Sequence, residues 1–160
     1  MTPRDLHTLH RYFLWADRMR VLFYATLAED KARSDASGAP RDPTTDVLFV
    51  HPYMSYWYAG TFVLIEGWGE LGIRDATIDR LLDSPHVDLL RRYRNGAFHF
   101  QRDYFDNRLL GFVGADESAK WIFDVRQAFS KWFLDYFEWL RAGGVADVPT
   151  GGGETCPSAR

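Results

Sequence analysis

A single cysteine, Cys156, stands in 160 residues, so no internal disulfide can form, and nothing near it has the spacing of a metal-ligand pair. No segment shows the two-residue hydrophobic period of a strand, and no stretch repeats itself along the chain. Lysine is scarce: sixteen of the nineteen bases are arginine. Guanidinium is the better fork for phosphate, but a coding preference for arginine would look the same. The excess of one charge over the other is small as well, 22 acids against 19 bases giving a net −3. That balance supplies no overall field toward nucleic acid, so contact with RNA or DNA needs a local basic patch. Met1 to Asp5 carries no apolar run behind a basic leader; no secretory signal is expected, and the expected compartment is cytoplasmic. Val47 to Ile65 is free of acids and bases over about the length a bilayer requires. Its centre, His51-Pro52-Tyr53-Met54-Ser55-Tyr56-Trp57-Tyr58, is polar and amphipathic where a spanning helix would be most apolar. A buried helix of a bundle is the expectation, with no membrane partner.

What is present is apolar and aromatic. Hydrophobic residues make up 46% of the chain and aromatics 16%, enough for one packed domain without staples. Leu6, Leu9, Phe13, Ala16, Met19, Phe23 and Leu27 recur at three- and four-residue steps and predict a helix from Pro3 to Glu29. Lys31 to Pro43, with Ser34, Ser37, Gly38 and two prolines, reads as a loop. A second helix starts at Thr44-Thr45-Asp46 or at Pro52 and stops near Gly69 and Gly72. A short one follows over Asp75 to Leu82. The next begins at Pro85, runs through Arg94 to His99 and is expected to continue past Phe105. Leu109 to Gly114 reads as a connection. A last helix covers Glu117 to Arg141, with Ile122, Val125, Phe129, Trp132, Phe133, Tyr136 and Leu140 as its stripe. The expected fold class is all-α: an up-and-down bundle of four long helices plus a short one, over 3–142. Residues 143–160 are almost free of apolar content and are expected to form a flexible tail.

Chemistry concentrates in Arg94-Asn95-Gly96-Ala97-Phe98-His99. On a continuous helix Asn95 and His99 are four apart and share a face, which Arg91, Arg92 and Arg102 extend. Arg94 lies about 140° from His99 on a straight helix. The two converge on one ligand only if the helix bends near Gly96, ends near His99, or a second protomer supplies one of them. An imidazole can take the proton of a ribose 2′-hydroxyl, and a guanidinium can hold the phosphate under attack. That pair suffices for RNA cleavage without a metal. The structural alternative is that Arg94 caps a helix or pairs with a carboxylate.

This motif resembles the signature of the HEPN superfamily (higher eukaryotes and prokaryotes nucleotide-binding domains): an arginine, a polar residue, and a histidine four to six residues on. Motif, placement before a final long helix, length and helix pattern all agree, over roughly residues 4 to 142. The resemblance implies an all-helical, HEPN-like bundle whose homodimer gathers two motifs into one cleft. It implies a metal-independent endoribonuclease of toxin or defence type, acting on RNA with no cofactor. Arg94 would bind phosphate, Asn95 would orient it or the histidine, and His99 would be general base or acid. Arg91, Arg92 and Arg102 would extend the nucleic-acid surface. The resemblance also implies a non-catalytic alternative, a module binding nucleotide, RNA or a protein partner. In the toxin branch an antitoxin protein is a partner, and a tyrosine stands two residues after the histidine. Here that position is Gln101, so that branch's form of regulation is not expected.

Other constellations weigh less. His7 and His10 open the first helix, and Tyr12 to Arg18 resembles, faintly, the start of metal-binding DinB-like bundles. Those need further histidines on other helices, which this sequence lacks, so no metal site is expected. His51 reads as a backbone-bonded histidine at a helix start. Glu66 and Glu70 read as a partly exposed helix end.

Overall fold

The computed structural model describes residues 3–38, 40, 46–103 and 106–144. Among these every regular element is helical: α1 (Pro3–Ser37), a π-helical turn (Asp46–Val50), α2 (His51–Glu70), α3 (Ala76–Leu82), α4 (His86–Phe98), α5 (Asn107–Val113) and α6 (Ser118–Arg141). The all-α helical bundle expected from the periodicity is what is found, with four long helices and two short ones. None of the helices described is long and apolar enough to cross a membrane.

Three boundaries differ from the sequence expectation. The first helix does not stop at Glu29 but continues to Ser37. Ion pairs at helical spacing support the extra turns, Lys31 with Asp35 at 2.6 Å and Arg33 with Asp30 at 3.4 Å. They outweigh the two serines, and the helix ends only where Gly38 takes φ +67°. Residues 107–113 form a helix rather than a connection, because Asp106 accepts from the Arg108 N–H at 2.8 Å and Phe112 is fully buried beneath it. The helix carrying the motif ends at Phe98, short of the expected run past Phe105. Asp75, by contrast, caps α3 as its sequence position suggests, accepting from Thr77 and Ile78. The Thr44-Thr45 cap, Tyr104, Phe105, Cys156 and the tail from 145 onward lie outside the described residues.

The part of the charge-free stretch from Trp57 onward becomes the centre of the bundle. Trp57, Ala59, Phe62, Leu64, Ile65 and Trp68 of α2 are buried on several faces at once, as a helix flanked by others must be. The crossing with α1 is tight: a Cβ on Gly60 would lie 3.2 Å from the Ala16 Cβ. On the α6 side the filling is aromatic. Trp68 meets Phe129 edge-on at 5.2 Å and Trp132 at 5.0 Å, and Phe13 meets Phe133 at 5.3 Å. Rings of this size hold helix axes apart while filling the space between them. Asp17 joins the same layers, bonded to Arg126 and Arg20 at 2.8 Å each. Burial raises its pKa, but those two guanidiniums outweigh it and hold the carboxyl below its usual range.

His10 occupies an aromatic niche 4.7 Å from both Phe133 and Phe137. Burial, and then the neighbouring His7, lower its pKa from 6.5. A lowered folded pKa means that the unfolded chain takes up the proton first as pH falls. The stability linked to His10 is therefore complete above about pH 6.5 and is lost below it. The midpoint of thermal unfolding is expected to fall between about pH 7 and 5, and to fall less in His10→Phe. Equal slopes for the two proteins would remove His10 as the source.

Candidate functional site

The motif sits where α4 ends against α2 and α5. Tyr93, fully buried, fixes this end of α4: its ring meets Tyr58 edge-on at 5.2 Å, and its hydroxyl shares a 3.0 Å hydrogen bond with Ser55. Burial pushes the phenol of Tyr93 above its ordinary range, so it remains a neutral anchor. Gly96 faces α5, and a Cβ there would approach Arg108 Cβ and the Leu109 side chain at 3.1 Å. Glycine in the motif thus lets α5 fold back across α4.

Arg94 is half-buried at one edge of this end. Its Nη2 donates to both oxygens of Glu66, at 2.9 and 2.7 Å, and its Nη1 donates to Asn95 Oδ1 at 3.0 Å. The guanidinium lies 5.2 Å from the Phe62 ring centre. Nε is buried and, among the described residues, has no hydrogen-bond partner. Arg94 and Glu66 keep 28% and 40% of their side-chain surface, so the pair is not sealed in the interior. An ion pair this exposed contributes about 0–1 kcal/mol, whereas a buried unpaired N–H costs about 1–3 kcal/mol. Stability alone therefore does not account for the cluster.

His99 is exposed and caps α4 in extended conformation, φ −116° and ψ 137°, its N–H still bonded to Asn95 O at 3.1 Å. Asn95 therefore links both chemical groups, through its side chain to Arg94 and through its carbonyl to His99. Gln101 turns back on the same corner, donating to His99 O at 2.6 Å and reaching Asn95 O at 3.5 Å. Arg108 Nη1 in turn donates to Gln101 Oε1 at 2.9 Å. The Gln101 amide thus supplies a donor to the His99 carbonyl beyond the last helical bond, and a second one to Asn95 O, which already accepts the His99 N–H.

The single helical face expected to carry Arg91, Arg92, Asn95, His99 and Arg102 is not found. Arg91 and Arg92 lie exposed on α4, Arg91 bonded to Asp88 at 3.1 Å. Arg102 follows the end of the helix, exposed in a bend, because the chain turns away at His99 and α5 takes the place that further turns would have filled. Of the three ways in which Arg94 and His99 could overcome their angular separation, the helix end at His99 is present.

Glu66 was the residue that sequence reasoning missed. Its spacing pairs it with Glu70, four residues on, but its partner in the structure is 28 residues away on another helix. Only the structural alternative for Arg94, pairing with a carboxylate, pointed toward it, and no spacing named which one. Around the corner lies an apolar rim: Phe100 is 91% exposed, and exposed Phe98 and Tyr56 meet at 5.4 Å. Elsewhere His7 and His10 pack on Phe137, and His51 is exposed at the first residue of α2. The described residues contain no group of three or more His, Cys, Asp or Glu placed to hold a metal ion.

No family model, curated protein or solved structure matches this chain.

Proposed function

We propose that the chain is a HEPN-like homodimer acting on RNA, as a metal-independent endoribonuclease of toxin or defence type. The observation that carries this reading is the position of Asn95, which holds a half-exposed guanidinium by its side chain and an exposed histidine by its carbonyl. In such a reaction the ribose 2′-oxygen attacks the adjacent phosphorus and the bond to the 5′-oxygen breaks. The products are a 2′,3′-cyclic phosphate and a 5′-hydroxyl. Arg94 neutralises the phosphate as charge grows on its oxygens, and His99 transfers a proton. Glu66 takes only Nη2, and Asn95 one of the two Nη1 protons, which leaves a donor for a phosphate oxygen. Arg92 and Arg102, both exposed, extend the positive surface for the strand. A second copy of the chain over Phe98, Phe100 and Tyr56 would cover an apolar rim and bring a second motif to the cleft.

The Glu66 pair favours a second reading, in which the module binds without cleaving. A carboxylate already on Arg94 opposes an incoming phosphate.

The test is RNA incubated with the protein in EDTA. Cleavage yielding 2′,3′-cyclic ends is expected, and His99→Ala is expected to slow it by at least about 100-fold. Equal activity in the two proteins would sink the assignment of His99. Binding without cleavage, lost in Arg94→Ala, would support the module. A monomer by sedimentation at micromolar concentration, about the range expected for a functional dimer, would count against the shared cleft.

A further inference from the structure

Cleavage through the 2′-oxygen moves two protons in one displacement, one leaving the attacking hydroxyl and one arriving at the departing 5′-oxygen. A single imidazole cannot do both at once. Among the described residues, the titratable group that touches the guanidinium that would hold the phosphate is Glu66. A carboxylate offers about four lone-pair positions, and the Nη2 protons use two. With 40% of its side chain exposed, the remainder is open to a ligand. Nearby carboxylates are engaged elsewhere: Asp88 with Arg91, and Asp106 with the backbone and side chain of Arg108.

We infer that Glu66 is the general base of the cleavage reaction and His99 its general acid; this rests on the proposed nuclease function. Glu66 takes the proton of the 2′-hydroxyl as the 2′-oxygen bonds to phosphorus. The bond from phosphorus to the 5′-oxygen breaks, and the His99 imidazolium protonates that oxygen. Exchange with water then restores the carboxylate and the imidazolium. Arg94 thus anchors the phosphate and, through Nη2, aims the base at the sugar carrying it. The 2′-hydroxyl that approaches Glu66 is a donor, which offsets part of the repulsion between this carboxylate and the phosphate on Arg94.

The test is the pH dependence of single-turnover cleavage in EDTA, with binding measured separately on RNA carrying a 2′-deoxy residue at the cleaved position. The wild-type profile is expected to be bell-shaped. Glu66→Gln is expected to lose about 10²- to 10⁴-fold in rate and to lose the acid limb, with Glu66→Asp recovering part. His99→Ala should lose the alkaline limb. Binding of the deoxy-substituted RNA should stay within about threefold in Glu66→Gln, a shift worth under a tenfold step. A Glu66→Gln rate equal to or above wild type overturns the inference. So does a slower rate with the acid limb intact, which would mean that Glu66 only positions Arg94. If wild type cleaves, His99→Ala does not and Glu66→Gln is unaffected, only the assignment of the base falls. If wild type produces no cyclic-phosphate ends, the nuclease reading falls and this inference with it.

Discussion

On the proposed nuclease reading, Arg94→Lys is expected to cleave RNA about 10²- to 10³-fold more slowly than wild type, close to Arg94→Ala. Charge is retained, so the loss would report geometry. Arg94 works in two directions at once, Nη2 on Glu66 and Nη1 on Asn95, with its plane set against Phe62. An ammonium is one point with three donors; it can satisfy Glu66 or a phosphate but cannot keep Asn95 in register beside them. Asn95 also carries the carbonyl on which the His99 N–H rests. A lysine therefore releases the Asn95 side chain, while the backbone bond behind His99 stays. Folding should be little affected, because a pair this exposed contributes at most about 1 kcal/mol. The measurement is single-turnover cleavage in EDTA beside thermal unfolding. A lysine variant within about threefold of wild type, less than 1 kcal/mol in the barrier, would show that charge alone suffices.

Phe129→Ala should have the largest effect on stability. Phe129 is fully buried, edge-on to Trp68 and 6.4 Å from the Phe133 ring centre, where α6 faces α2. Truncating a buried phenylalanine costs about 3–5 kcal/mol, part from lost transfer and part from the cavity left behind. Rigid rings on either side close that cavity poorly. For a domain of this size the unfolding midpoint should drop by roughly 6–20 °C. Leu134, on the same helix and 60% exposed, is the control: its alanine variant should stay within about 0.5 kcal/mol of wild type. A Phe129→Ala loss under about 1 kcal/mol by denaturant titration would mean that the aromatic layer repacks freely, against this account.

The helices were legible wherever the signal is local. Leu6, Leu9, Phe13 and Ala16, and Ile122, Val125, Phe129, Phe133 and Tyr136, stand at helical spacing in the sequence and are buried in the structure. The helix that carries most of the charge-free stretch, α2, has neighbours on several sides from Trp57 onward. Boundaries were less legible. Gly111 and Gly114 give 109–114 the composition of a turn, whereas the cap bond of Asp106 and the burial of Phe112 make the segment helical.

For the site, the division follows the same line. The sequence alone marked Arg94, Asn95 and His99, because residue types within one helical turn carry their own spacing, and it set the all-helical class through a 3.6-residue rhythm that neighbours enforce. Tertiary structure decided what those residues meet: Glu66 on Arg94, Gln101 on the carbonyls behind His99, and a helix that stops before Arg102. Hydrogen bonds within a turn follow from local geometry. A partner 28 residues away depends on how two helices cross, and that is settled by packing over the whole core.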